Sequence, residues 1–561
     1  MAAGPGHRER PLGTTSGHWA PRAATGRLVR RYGGVVTSVQ PVSSAPTKPK
    51  HSAWVLFALV TGAIVANINL SIANVALPTI GAALDADQDQ LSIIADAFAL
   101  GLAATVLYLG AVGDRHGRKL LFVIGSTLTI PTAFLAAYAP NGEVLAVARL
   151  LGGIAAAMLF PTTLSLISAL YSGRARVKAI ALWSGVGGGF AALGPVVGGW
   201  LLESFWWGSV FLITVPLVIV VLIVGLIVLP WHAHEEKFRI DHRGGVLSVV
   251  GIGSLIIAIE TADTGITPGW LATMGTAIAA LGLFFWWQSR APRPLVDLQL
   301  ARHRTFWVAF VAGAITFGSL IGAMFIGQQF TQNVLGYSTL TAALVVVPSA
   351  VFSAIGGQFA GSIINRSGSR ASLMLGLISV ALAFAVMLVT WREGVAVGWV
   401  LLAYGLVGAG VGLAATPASR ALMGSVPPAR AGMGSGFLDL TRDFGGAVVQ
   451  AIMGGLLAAS YASHIRADVA GLPPDEAGQL TDQAADEMAS SFTSAVEASQ
   501  QYSSSLQEQV LTAASTAFTA GKSWAILVAL VLTILGLVLV LALFPRKAAE
   551  EEYYAQVQQG G

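Results

Sequence analysis

The sequence predicts an all-α polytopic membrane protein with fourteen crossings. Three observations carry that expectation. Of 561 residues, 55% are hydrophobic and only 11% are charged, against about 25% charged in soluble domains. From residue 53 onward the chain divides into apolar runs, each near the roughly 20 residues that a helix needs to cross hydrocarbon. They fall at 53–80, 91–112, 120–138, 144–169, 178–201, 209–230, 245–261, 270–288, 306–329, 339–359, 371–390, 396–414, 432–459 and 523–544. Finally, Lys and Arg concentrate in alternate connections, as they do in the inner loops of membrane proteins.

With the N-terminus inside, the even-numbered loops should hold the cations. They hold Arg115, Arg118 and Lys119, then Arg174, Arg176 and Lys178, then Lys237, Arg239 and Arg243. Arg290, Arg293, Arg302 and Arg304 come next, then Arg366 and Arg370, Arg420 and Arg430, and Arg546 and Lys547 in the C-terminal tail. The odd-numbered loops hold only Arg392, Arg466 and Lys522. One helix more or fewer would scramble this asymmetry, so both termini are expected in the cytoplasm. The absence of cysteine excludes disulfides and thiolate metal sites. Basic residues lie in short loops without an aromatic platform, which argues against nucleic acid. No nucleophile–base constellation points to an enzyme.

Residues 1–50 are polar and basic, with Arg8, Arg10, Arg22, Arg27, Arg30, Arg31, Lys48 and Lys50 against a lone Glu9. They read as a disordered, dispensable cytoplasmic tail. A start codon placed too far upstream would also account for them, and a lipid-surface anchor is the functional alternative.

Between spans 2 and 3 lies Gly110-Ala111-Val112-Gly113-Asp114-Arg115-His116-Gly117-Arg118-Lys119. Charges between two apolar runs belong at a membrane edge, and the glycines allow a tight turn and close helices. A weaker copy lies at Gly361-Ser362-Ile363-Ile364-Asn365-Arg366-Ser367-Gly368-Ser369-Arg370, which suggests two related halves. The pattern resembles the loop between the second and third helices of the major facilitator superfamily. That resemblance implies two six-helix bundles plus two extra helices. The expected division is a bundle over 51–230, two linker helices within 231–305, a second bundle over 306–545 and a tail over 546–561.

Span 1 ends in Ile68-Asn69-Leu70-Ser71-Ile72-Ala73-Asn74-Val75-Ala76-Leu77-Pro78, similar to the first-helix signature of the fourteen-helix drug:proton antiporters. That family usually has an acid where Asn69 stands, so here the position is expected to hydrogen-bond substrate rather than carry a proton. Span 2 carries Asp96 near its outer boundary, about 27 Å along the helix from Asp114. Span 4 contains Ala148-Arg149-Leu150-Leu151-Gly152-Gly153, similar to the family's Arg-x-x-Gln-Gly signature with Gly152 in place of Gln. An Arg in hydrocarbon needs a partner or a wet cavity, although snorkelling to the outer boundary is the plainer alternative. Span 5 contains Gly194-Pro195-Val196-Val197-Gly198-Gly199, which resembles the antiporter signature Gly-Pro-x-x-Gly-Gly. A proline bend flanked by close-contact glycines suits a seal that opens to one side. The upstream Gly185-Val186-Gly187-Gly188-Gly189 lacks the Lys-Ser/Thr of a phosphate loop.

Later segments, Trp206–Pro216, Pro294–Leu298 and Val334–Ser338, match the family with substitutions. Span 13 departs from it. In Gly436-Phe437-Leu438-Asp439-Leu440-Thr441-Arg442-Asp443-Phe444-Gly445-Gly446, acids stand where the family commonly has Asn and Gln. Asp439 and Asp443 share a helix face near the bilayer midplane, with Arg442 expected beside Asp439. Like charges repel and burial disfavours ionisation, so one carboxyl is expected to keep its proton near neutral pH. A fixed ionic brace is the plain alternative. The connection 460–522 is long and acidic. Pro473-Pro474-Asp475-Glu476 reads as a helix start, and Phe492, Val496, Val510, Leu511 and Phe518 suggest amphipathic helices over the outer mouth.

The combined expectation is a proton-coupled exporter of amphipathic, cationic or aromatic small molecules, a multidrug efflux pump conferring antibiotic resistance. It works by alternating access in the cytoplasmic membrane, as a monomer and without a cofactor, with the proton gradient as energy source. Asp96, Arg149, Asp439, Arg442, Asp443 and Asn69 are the candidates for proton coupling or cargo recognition. Gly110, Asp114, Arg115, Gly117, Arg118, Gly194, Pro195, Gly198 and Gly199 are the candidates for conformational change. Phe98, Trp183, Phe190, Phe325 and Phe330 are candidate cavity walls. Two rival readings remain: a dedicated exporter of one metabolite, such as a self-made antibiotic or a siderophore, and a non-transporting scaffold or sensor acting through the external loop.

Overall fold

Fourteen apolar stretches become helices. A computed structural model describes residues 49, 51–86, 88–231, 240–261, 267–292, 294–296, 298–427, 430–470 and 482–559. The expected basic tail lies almost wholly outside them, as does the expected helix start at Pro473. Thirteen described helices are long and apolar enough to cross a membrane. The helix Gly173–Ser204, at 32 residues, lies between the fourth and fifth of these.

The first half runs α1 Ser52–Ser71, α2 Ala73–Leu84, α3 Gln88–His116, α4 Arg118–Ala137, α5 Gly142–Leu170, α6 Gly173–Ser204, α7 Ser209–Leu212 and α8 Thr214–Val228. Span 1 is thus α1 plus α2, interrupted at Ile72, and span 6 is α7 plus α8, interrupted at Ile213. Two linker helices come next, α9 His242–Glu260 and α10 Pro268–Gln288. Asp241 caps α9 by accepting from Gly244 N at 2.9 Å, and it also receives the Trp287 and Gln288 side chains of α10. α9 packs on α3, and α10 packs on α9. Only 17% of the α10 span is buried, which puts it at the lipid-facing edge.

The second half runs α11 Leu298–Ala301, α12 Arg304–Gln329, α13 Thr339–Leu344, α14 Val347–Ser367, α15 Ser369–Thr390, α16 Val397–Gly424 and α17 Ala431–Ala470. Then come α18 Asp482–Ser490, α19 Phe492–Ser499, α20 Ser504–Leu543 and α21 Lys547–Gln559. Span 10 is split because Pro348 has no N–H to donate and so starts a new helix, α14.

The acidic connection differs from expectation. α17 continues past 459 to Ala470, and α20 begins at Ser504 rather than near 523, so much of the connection is an extension of the two spans. Tyr461, Ile465, Met488, Ala495, Val510 and Phe518 form one buried cluster there. The Tyr461 hydroxyl donates to Ser491 O at 3.2 Å, and Ser515 donates to Glu393 in the α15–α16 connection at 3.1 Å. The helices of this connection therefore pack on their own half.

The two halves meet along α6 with α14 and along α3 with α17. The repeated loop motif is repeated in space. Gly117 and Gly368 sit at corresponding turns with φ of 116° and 87°, a region in which L side chains are strained.

Candidate functional site

Three clusters bring the candidate residues together. The first lies at the motif end. Asp114, 1% exposed, pairs with Arg118 across one turn at 3.0 Å. Its carboxylate also accepts from Gly432 N at 2.8 Å and Met433 N at 3.2 Å. Those amides belong to the first turn of α17, where no intrahelical partner exists and the helix dipole favours an anion. Asp114 of one half thus caps a helix of the other. A Cβ on Gly110 would lie 2.5 Å from Gly432 O, so the two backbones are in direct contact. Gly117 turns the chain so that Arg118 can reach back, while Arg115 remains exposed. Lys119 donates to Leu226 O and Leu229 O at 2.7 and 2.6 Å and lies 4.3 Å from the Trp231 ring. It closes the C-terminal end of α8.

The weaker copy is completed from elsewhere. Asn365 stands where the first copy has Asp114, and the carboxylate comes instead from Glu550 of α21. Glu550 is buried. It accepts from Ser369 N at 3.0 Å, from the Ser369 hydroxyl and from the Tyr554 hydroxyl at 3.0 Å, with Arg420 at 3.9 Å. Burial, reinforced by the Glu550 charge, pushes the Tyr554 hydroxyl well above its ordinary range. His303 stacks on Tyr553 with ring centroids 3.6 Å apart. Burial, and then the Arg304 charge, hold His303 below the usual imidazole value.

The second cluster is inside the first half. Arg149, 3% exposed, donates to Asn69 O at 2.7 Å and to Ile94 O and Ala95 O at 3.3 Å each. Its guanidinium lies 4.9 Å from the Phe98 ring centroid, and Asp96 is near enough for its charge to act on it. Arg149 is therefore buried rather than snorkelling. It lines a narrow cavity with Asn69, Phe98, Thr129, Thr132 and Phe211. The Gly-Pro signature faces the same bundle. A Cβ on Gly194 would meet Ser71 Oγ, and one on Gly198 would meet Ile72, so α6 presses on α1 where span 1 is interrupted. A Cβ on Gly199 would lie 3.7 Å from Leu340 of the second half. Pro195 lies within α6, but its side chain is outside the described residues.

The third cluster spans the two halves. Arg442 of α17 donates to Asp443 at 3.0 Å and to Asn67 Oδ1 of α1 at 3.1 Å. Its guanidinium lies 4.4 Å from the Phe160 ring of α5. Phe160 packs at 5.2 Å on Trp183, whose indole donates to Thr163 at 2.8 Å. Asp439, 2% exposed, sits one turn away on α17. Asp439 and Asp443 each keep one buried carboxylate oxygen without a hydrogen-bond partner among the described residues.

The structure adds two details. Arg442 hydrogen-bonds Asp443, and the Asn of α1 that reaches Arg442 is Asn67. Sequence reasoning also missed Phe160. Of the candidate walls with described side chains, only Trp183 is at this cluster. Phe98 lies under Arg149, Phe330 stacks on Trp391 at 5.0 Å, Phe325 packs by Gly454, and the Phe190 side chain is outside the described residues. No group of acidic and imidazole side chains suited to a metal occurs among the described residues.

A family model described as Major Facilitator Superfamily matches residues 59–450. The multidrug efflux pump LfrA of Mycolicibacterium smegmatis is 34% identical over 436 residues, covering 77% of this chain and 86% of that protein. The methyl viologen resistance protein SmvA of Salmonella typhimurium is 32% identical over 408 residues, covering 71% of this chain and 81% of that protein. The crystal structure of the human organic anion transporter MFSD10 (TETRAN) aligns with a TM-score of 0.54 at 15% identity, covering 86% of this chain and 100% of that one. At that identity the likeness concerns the fold alone.

Proposed function

Because the chain belongs to the major facilitator superfamily, and is a multi-pass membrane transporter of small molecules rather than an enzyme, we propose that it is a proton-coupled exporter. Its cargo is amphipathic, cationic or aromatic, and its export confers drug resistance. The motif end and both termini face the cytoplasm, and one copy suffices.

One observation carries this reading. Two carboxylates of α17 flank Arg442, which reaches Asn67 and Phe160 of the other half, and each has an oxygen lacking a hydrogen-bond partner among the described residues. One guanidinium, paired with Asp443 at 3.0 Å, cannot balance both carboxylates, so the pair takes up either a proton or a cation. That mutual exclusion is what an exchanger needs. A proton entering from outside releases the cargo, and cargo entering from inside displaces the proton. Asp96 beside Arg149 offers a second position for proton binding. Alternation then requires α17 to leave Asp114 at the motif end as the halves rock. The relatives, a multidrug efflux pump and a methyl viologen resistance protein, fit a cationic and aromatic cargo.

The test is transport by purified protein in sealed liposomes under an imposed pH step, with a panel of lipophilic cations. Wild type is expected to move at least one of them. Asp439→Asn and Asp443→Asn are expected to remove the pH-driven component. No movement of any compound, or unchanged coupling in both variants, overturns the proposal.

A further inference from the structure

We propose that Arg442 is a displaceable latch: a tethered cation that fills the cargo's own cation subsite and, while seated, ties the two halves together. The inference rests on the export reading and adds to it an occupant, a competitor and a cargo charge.

The Arg442 guanidinium has three neighbours of different kinds. One is a carboxylate, Asp443, at 3.0 Å. One is a neutral amide oxygen, Asn67 Oδ1, at 3.1 Å. One is an aromatic face, Phe160, at 4.4 Å from the ring centroid. Together these are what a flat or delocalised lipophilic cation seeks: a charge, an acceptor and a π-face. Asn67 is 3% exposed and Phe160 is 3% exposed, so a cargo cation reaches neither while the guanidinium is in place. The Arg442 side chain itself is 15% exposed, the most open member of the set, as a group that must swing aside should be.

The contacts also join elements that have to part. Asn67 is on α1, Phe160 on α5 and Arg442 on α17. Any opening between the bundles at this level lengthens the Arg442–Asn67 bond and lifts the guanidinium from Phe160. Arg442 keeps Asp443, its chain neighbour, through such a movement. A monovalent cation that enters therefore replaces the latch at Phe160 and Asn67, and Asp439, one turn away, is available to balance its charge. A neutral amphiphile gains nothing from the exchange, because it cannot replace the cation–π contact.

Removing the latch should thus tighten cation binding, whereas removing a plain binding residue would weaken it. If the latch is seated in nine of ten molecules, its loss raises apparent affinity about tenfold. The experiment measures equilibrium binding of tetraphenylphosphonium and of an uncharged fluorescent lipophile to full-length protein in nanodiscs, comparing wild type with Arg442→Gln. The expected result is a roughly tenfold tighter cation with the uncharged probe unchanged. Equal or weaker cation binding overturns the proposal, and so does equal tightening of both probes, which would mean general loosening. Should Arg442→Gln fail to fold, Arg442→Lys keeps the charge beside Asp443 but loses the planar fork that reaches Asn67 and lies over Phe160, and is expected to tighten the cation about threefold. No tightening there overturns the proposal equally. Transport by wild type in liposomes separates the two ideas. Transport without tightening in the variants removes the latch and leaves the exporter. Tightening without pH-driven transport removes the exporter and leaves the latch.

Discussion

Gly110→Ala tests the seal at the motif end. The added Cβ would lie 2.5 Å from Gly432 O, where ordinary contact begins near 3.4 Å. The neighbour is backbone of a packed helix, so it cannot rotate away, and α3 and α17 must separate by about 1 Å. The Asp114 bonds to Gly432 N and Met433 N, now 2.8 and 3.2 Å, then stretch beyond hydrogen-bonding range. Hydrogen bonds to a charged group contribute about 1.5–3 kcal/mol each, so losing two costs about 3 kcal/mol or more. That shifts the balance between sealed and open states by about a hundredfold. The chain has no cysteine, so distances can be read by labelling introduced pairs. His116 and Ser367 are exposed at the motif end of opposite halves. In a His116→Cys/Ser367→Cys background, Gly110→Ala is expected to populate a longer distance, with slower transport. Gly275→Ala, whose methyl meets nothing within 4 Å, is the control. An unchanged distance distribution in Gly110→Ala refutes the seal.

Three further outcomes are expected. Glu550→Ala removes the acceptor shared by Ser369, Tyr554 and Arg420, a loss of about 3 kcal/mol, and should release α21 to limited proteolysis near 544–547 while the spans stay protected. Arg149→Lys keeps the charge but not the fork that reaches three carbonyls, and should cost about 2 kcal/mol in thermal unfolding. Burial and Arg304 depress the His303 value below its ordinary 6.5. Its neutral form is therefore favoured when α21 is docked, and docking is at full strength above pH 6.5 and weakens as pH falls toward the depressed value. Protease sensitivity of α21 should rise on acidification, and His303→Phe, which keeps a ring against Tyr553, should flatten that profile.

The fold was legible because membrane helices announce themselves by length and by loop charge. The family match confirms the superfamily that the Gly110–Lys119 loop suggested. Helix ends were less legible. Ala470 and Ser504 continue their spans into water with polar residues that a hydropathy pattern excludes, and their stability comes from packing against each other. Facing was not legible at all. Asn67 and Asn69 are two residues apart, hence about 200° apart around the helix. The Asn67 side chain meets Arg442 and the Asn69 side chain meets Thr214, and nothing local distinguishes them. The same limit hid Phe160, whose role depends on an arginine 282 positions later in the chain. Arg442 itself was visible as a charge out of place, but choosing between Asp439 and Asp443 needed coordinates.

α17 is one unbroken helix of 40 residues, a rod of about 60 Å. Gly432 near its start accompanies the Asp114 contact at the motif end, Arg442 lies near its middle, and Tyr461 and Ile465 pack with the helices of the 460–522 connection. Tilt at one end must reappear at the other. A reporter beside Tyr461, at the end remote from Gly432, would therefore register when the Asp114 contact is released.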